Sequence, residues 1–302
     1  MKKTKQSVEG KIVRSLLADI TSTQLVGKKI KSGEYRKNPI EPQWRCPNGF
    51  HLEKHKIFEI EMELLEPNEP SSNLIVLQLH GGGYIGPMKN IYRTFAVMYS
   101  KAAAGASVLT IDYRVAPENP FPAALEDALE AYQWILDNGY KAEQIVVTGD
   151  SAGGGLALAL CLYLRDHECE LPKGIITMSA WTDLTSEGES YTKNYEIDPL
   201  FGNTKDSMIF NSAYIGNNDV KNPYISPIFG EYDEFPPILM QVGSYEMLLS
   251  DTIEVANKIK EKGSKVKLSI YEGMFHVFQM SKFLIPESRN AWQEIEQFFM
   301  SI

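Results

Sequence analysis

A single serine, Ser151, interrupts the run VVTGDSAGGGLALAL at residues 146–160, wedged among five glycines and alanines. The β-branched residues before it read as a buried strand, and the apolar run after it as a helix. The pentapeptide GDSAG at 149–153 fits G-x-S-x-G, a sharp turn whose small flanking residues leave the hydroxyl exposed. The turn also sets Ser151 near a helix N-terminus, where backbone N–H groups favour a developing negative charge. A serine hydroxyl is a poor nucleophile without a base, and the base needs a carboxylate to orient it.

The chain offers five histidines as bases. His51 and His55 lie four apart in a polar stretch; as a metal pair they would want a third ligand and a helix, so they read as solvated surface. His167, in RDHECE at a charged helix end, reads the same way. His80 opens HGGG at 80–83 and reads as a brace for that loop. His276 follows the strand KLSIY in the turn EGMFHVF, at a carboxyl strand end, and is the expected base. In the order Ser…Asp/Glu…His the acid falls between them. The strand PILMQVG runs into SYEMLLSD, which offers Glu246 and Asp251. Glu246, three residues past Gly243, is favoured. Asp251 starts a helix over 252–262, where a capping role explains it; Asp183, after GIITMSAW, is a third candidate. Glycines in HGGG let the backbone approach a carbonyl oxygen, so Gly82 and Gly83 should supply two oxyanion donors and Ala152 the third. Nothing in this set calls for a metal or a cofactor.

These residues need a scaffold that gathers strand ends. LIVLQL (74–79), SVLTI (107–111), QIVVT (144–148), GIITMS (174–179), PILMQV (237–242) and KLSIY (267–271) are short apolar runs. Helical stretches at 91–104, 122–138, 155–166 and 250–262 separate most of them, which predicts an α/β fold with a mostly parallel sheet covered on both faces. In such sheets, chemistry collects at the carboxyl strand ends. Phe58, Ile60, Met62 and Leu64 alternate with glutamates and predict an antiparallel edge strand. Val8, Ile12, Val13, Leu16, Leu17 and Ile20 recur at helical spacing and predict a helix packed on the domain or in a lid. Residues 184–225 break the rhythm and carry many aromatics, reading as a cap insertion. The expected division is an N-terminal cap segment, 1–50, and a catalytic domain, 51–302. Tyr84, Trp181, Tyr191, Tyr195 and Phe201 are the expected pocket wall, crowded enough to favour small acyl groups.

Composition sets the outer limits. In 302 residues, 43% hydrophobic and 23% charged, 30 basic against 39 acidic side chains give a net charge of −9. That balance disfavours nucleic acid and anionic membrane as main partners. Cys46, Cys161 and Cys169 are too few and too scattered for a disulfide framework, which fits a reducing compartment. Glu9, Lys11, Arg14 and Asp19 break up the basic opening, so it lacks a signal peptide's apolar stretch. No run nears the ~20 apolar residues that span a bilayer. A soluble cytoplasmic protein with no membrane insertion is expected. GGGYIG at 81–86, with Asp112 ending the next strand, also spells a dinucleotide-binding fingerprint. Pro87 follows in place of a helix, and the fingerprint leaves Ser151, Glu246 and His276 unexplained. No GK[ST] follows either glycine cluster, which excludes a P-loop.

Over roughly residues 70–300 the chain resembles the hormone-sensitive-lipase-like family of α/β-hydrolases, in its bacterial carboxylesterase branch. The resemblance rests on HGGGY (80–84), DYRVAPENPFPAALED (112–127), GDSAGG (149–154), SAWTDL (179–184) and GMFHVF (273–278). It implies an α/β-hydrolase fold with a cap from the N-terminal segment plus an insertion. Its triad is Ser151, Glu246 and His276; its oxyanion hole is Gly82, Gly83 and Ala152. The implied reaction is cofactor-free hydrolysis of short to medium acyl esters, with a small-molecule ester as partner and room for a homodimer. Arg114, Glu118 and Asp127 match positions read as structural, holding the loop beside the site. The acid here is glutamate where many relatives carry aspartate, which leaves Asp251 open as the alternative. Two other readings share the fold. One is a deacetylase or amidase with the same triad. The other is a binding protein like the similar plant hormone receptors, which lack the catalytic histidine retained here.

Overall fold

The computed structural model describes residues 2–22, 24–37 and 41–302. In chain order the elements are β1 (Lys2–Thr4), α1 (Val8–Ser22), α2 (Gln24–Lys31), α3 (Glu34–Lys37), β2 (Phe50–Ile57), β3 (Ile60–Pro67) and β4 (Ile75–Leu79). There follow α4 (Asn90–Ala102), β5 (Ser107–Asp112), α5 (Ala123–Asp137), β6 (Ile145–Asp150), α6 (Ala152–Asp166), β7 (Gly174–Met178) and α7 (Ser190–Lys193). The chain closes with β8 (Ile238–Gly243), α8 (Leu249–Glu261), β9 (Val266–Tyr271) and α9 (Pro286–Ser301). The strands form one sheet in the order β1-β9-β8-β7-β6-β4-β5-β3-β2. Neighbours from β1 to β5 run parallel, and β3 pairs antiparallel with β5 and with β2.

Every residue of β4, β6, β7 and β8 is buried. Such strands need apolar side chains on both faces, which is why they read as unbroken apolar runs rather than alternating ones. One core lies under α5, α6 and α8, the other under α4 and α9. The helix α6 is buried along almost its whole length, which explains its uniformly apolar sequence.

The edges differ from the sequence expectation. The alternating stretch at 58–64 is not one strand: Phe58 is 80% exposed in the turn of a hairpin, and β3 starts at Ile60. Its partner β2 is the outermost strand and half wet on both faces, so FHLEKHKI carries little apolar pattern to read. Nor does α1 bury its whole apolar face. Val13 and Leu17 pack on a small cluster with Phe275, Phe278 and Ile285, while Val8, Ile12, Leu16 and Ile20 are each more than half exposed. Among the described residues no helix is long and apolar enough to cross a membrane.

Register brings the chemistry to one end. Leu79 pairs with Gly149, so the segments leaving β4 and β6, His80–Gly83 and Ser151, emerge side by side. Gly243 pairs with Tyr271, so the segments after β8 and β9, carrying Glu246 and His276, do the same. The N-terminal segment and the insertion meet beside these ends. Met208 N donates to Lys31 O (3.0 Å), Lys31 Nζ to Gly202 O (2.6 Å), and Thr21 Oγ1 to Pro199 O. A β-carbon on Gly83 would collide with Met208, so the insertion rests directly on the glycine loop.

Candidate active site

Ser151 sits between β6 and α6 at φ 53°, ψ −122°. A non-glycine residue there costs about 1–3 kcal/mol and persists only where its surroundings impose it. The constraint is visible: Ser151 N donates to Met178 O (2.9 Å), and Ser151 O accepts from Trp181 N (2.9 Å) and Gly155 N (3.1 Å). A β-carbon at Gly153 would collide with the carbonyls of Leu79 and His80. Only glycine lets α6 press against the end of β4, and that contact brings the HGGG loop to the serine. Ser151 keeps 7% of its surface exposed.

The nucleophile, base and acid candidates converge. His276 Nε2 lies 2.9 Å from Ser151 Oγ, and His276 Nδ1 lies 3.0 Å from Glu246 Oε2. His276 is 4% exposed and Glu246 fully buried. The second oxygen of Glu246 is also held: Oε1 accepts from Ser179 Oγ (2.8 Å) and Gly243 N (2.5 Å). Ser179 Oγ in turn accepts from Val277 N (3.0 Å), next to His276. One hydroxyl thus ties the acid loop to the base loop. Ser179, itself at φ 51°, opens the SAWTDL stretch, but nothing in its type marks this hydrogen-bonding use. Ser179→Ala removes the donor to a buried carboxylate and leaves Val277 N without its acceptor. A hydrogen bond to a charged group contributes about 1.5–3 kcal/mol, so kcat for a simple ester is expected to fall at least about tenfold with KM little changed; unchanged steady-state constants would refute this role.

Asp251 has a different part from the helix cap anticipated. It lies inside the first turn of α8, and its Oδ2 accepts from Thr182 N (2.9 Å) and Asp183 N (2.8 Å), with the Tyr191 hydroxyl oxygen 3.2 Å away. It anchors the loop after β7. Burial, with Asp183 nearby, pushes its carboxyl well above the ordinary range. Asp183 accepts from Thr185 N and Oγ1 and shows no contact with His276. Removing the Asp251 side chain orphans two buried amides at about 1–3 kcal/mol each. Asp251→Ala is therefore expected to lower the unfolding free energy by about 2–6 kcal/mol in a urea titration, whereas a cap alone would cost about 1 kcal/mol.

The HGGG loop is braced from below. Gly81 N donates to Asp150 Oδ1 (3.0 Å), a role for the residue before the nucleophile that the motif does not advertise. His80 is fully buried, stacks on Tyr113 at 4.1 Å, places Nδ1 2.8 Å from Gly81 O and faces Asp112 at 3.6 Å. Burial alone would raise the Asp112 carboxyl, but His80, the Met88 amide and Arg93 hold it below its usual range. Gly82 and Gly83 adopt φ 135° and 66°, open to glycine at little cost.

The aromatic residues do not form one wall. Phe201 meets the imidazole of His276 edge-on, with ring centroids 4.9 Å apart. Tyr84 stacks on Tyr214 at 3.8 Å, and Tyr195 is half-buried against Phe210. Trp181 Nε1 and the Tyr191 hydroxyl both donate to Asp183 O, and both rings are buried. These hydrogen bonds fix both rings in the loop after β7. Arg114 makes a two-pronged pair with buried Asp127 (2.7 and 2.9 Å), while Glu118 is exposed. Away from the site, His51, Glu53 and Glu66 place ligand atoms within 4.8 Å of one another. They lie on the β2–β3 hairpin, three and four strands along the sheet from β6, and are exposed or half-exposed, with His51 already paired to Glu66 at 3.1 Å.

A protein-family model described as alpha/beta hydrolase fold matches residues 76–280. An acetyl-hydrolase of Streptomyces hygroscopicus is 37% identical over 216 residues, covering 72% of this chain and 72% of the relative. An esterase of Acinetobacter venetianus is 34% identical over 237 residues, covering 78% and 77%. A solved structure of an esterase from the bacterial hormone-sensitive lipase family superposes with a TM-score of 0.83 at 30% identity, covering 98% of each chain. By this family model and these relatives, the chain belongs to the α/β-hydrolase family in its hormone-sensitive-lipase-like esterase branch.

Proposed function

We propose that this carboxylic ester hydrolase cleaves short acyl esters by double displacement through Ser151. His276 Nε2 takes the proton as Ser151 Oγ attacks the ester carbonyl. Glu246 holds the imidazole in the required tautomer and balances the imidazolium. The oxyanion is met by the N–H groups of Gly82, Gly83 and Ala152. Collapse of the tetrahedral adduct breaks the C–O bond, and the proton on His276 leaves with the alcohol. Water, deprotonated by the same imidazole, then attacks the acyl-serine and releases the acid. The observation that carries this reading is the bridging imidazole, 2.9 Å from Ser151 Oγ and 3.0 Å from Glu246 Oε2.

Two features favour a small acyl group: Phe201 against His276, and Met208 against Gly83. The Streptomyces relative named as an acetyl-hydrolase points the same way. Each methylene that fits adds only about 0.8 kcal/mol, less than a steric clash removes. Across p-nitrophenyl esters from acetate to laurate, kcat/KM should peak at about two to four acyl carbons. A steady rise through the long chains would mean an open trough and defeat the crowded-pocket reading.

A further inference from the structure

Asp198 is a buried carboxylate that the mechanism above leaves unused. It is 2% exposed, in the insertion between β7 and β8. Its Oδ1 accepts from Leu200 N (2.8 Å) and Phe201 N (3.0 Å). Its Oδ2 accepts from Met247 N (2.8 Å), 49 residues away in sequence and immediately after Glu246. So a single carboxylate grips two segments at once. One presents Phe201 edge-on to the His276 ring; the other carries the acid that holds the same ring from Nδ1. Asn194 reinforces the junction by donating to Ser244 O (3.0 Å) and Glu246 O (2.6 Å).

We propose that Asp198 is a positioning residue for ester hydrolysis, clamping the acid loop and the Phe201 segment together around His276. Burial pushes its carboxyl up, and the amides of Met247, Phe201 and Leu200 oppose that, as does the charge of His276. Lys31, from the N-terminal segment, also feels this charge while donating to Gly202 O. The clamp therefore sits where the insertion and the N-terminal segment join the catalytic loops, so the packing of both is coupled to the imidazole.

The test rests on the proposed triad and uses Asp198→Asn in the full-length protein. Asparagine keeps an oxygen for Leu200 N and Phe201 N but turns an NH₂ toward Met247 N, breaking the tie to the acid loop alone. With p-nitrophenyl butyrate, kcat should fall at least about tenfold with KM within about threefold, since small misplacements of a reacting group are costly. A purely structural role would add its cost to any background. A clamp acting through the acid should instead lose most of its effect once Glu246 is replaced, so Asp198→Asn in Glu246→Gln should cost less than about threefold more. Full effects that multiply, or an Asp198→Asn enzyme with normal kcat, would overturn the clamp. A fully active Glu246→Gln would instead overturn the triad. Thermal unfolding verifies that each variant is folded. Should Asp198→Asn not fold, Asn194→Ala loosens the same junction by removing the donor to Ser244 O and Glu246 O: a kcat at least about threefold lower with KM little changed supports the clamp, and an unchanged kcat contradicts it.

Discussion

Ser151→Ala and His276→Ala are each expected to lower kcat for a simple ester by about 10⁶-fold, and the double variant to be no worse than either single one. The three groups act as a unit, because the serine is nucleophilic only while the imidazole can take its proton. With Nε2 2.9 Å from Oγ, no second base replaces it at the elbow. Residual turnover about 10³–10⁴-fold over water should survive from backbone donors and binding. The bonds that hold the turn run through the backbone N and O of Ser151 and survive in Ser151→Ala, so the shift in thermal midpoint should be small. A folded Ser151→Ala that keeps its turnover would remove the basis of the mechanism.

Glu246→Gln is expected to cost about 10⁴-fold in kcat, as a wrong tautomer does in a serine–histidine–acid triad. The amide offers His276 Nδ1 either an N–H, which opposes its own, or an oxygen without charge to balance the imidazolium. Which end faces the ring is settled partly by Ser179 and Gly243, both donors to Oε1. They favour the amide oxygen on their side and the NH₂ toward His276. Asp251→Asn should leave the chemistry of the folded enzyme within a few-fold, since that carboxylate holds the loop after β7. Steady-state assays of the two side by side discriminate them, and exchanged phenotypes would reassign the acid.

The interior of the sheet was legible because burial on both faces forces an apolar run, as in LIVLQL and PILMQVG. The rim was not. The hairpin strand β2 carries two lysines, two histidines and a glutamate on half-wet faces, and β1 is three residues long, so neither has a pattern to detect. At the site, Ser151 and HGGG stand out because close backbone approach demands glycine, a composition rare elsewhere. Ser179 and Asp198 act through hydrogen bonds to residues distant in sequence, and nothing in their local types marks that use. Asp251 misleads for the opposite reason. An acid at the start of a helix has a sufficient local explanation, and its true partners, Thr182 and Asp183, lie 69 and 68 positions away. For Trp181 and Tyr191, aromatic type alone likewise gives no sign that both donate to Asp183 O.

The most direct test is covalent capture of the nucleophile. Phenylmethanesulfonyl fluoride should place one sulfonyl group per chain, on Ser151, with activity falling in step with the labelled fraction measured by intact-protein and peptide mass spectrometry. His276→Ala should take up the label far more slowly, because Oγ then has no base. Complete inactivation with Ser151 unmodified, or full labelling of Ser151 with activity retained, would contradict the assignment of this serine as the attacking group.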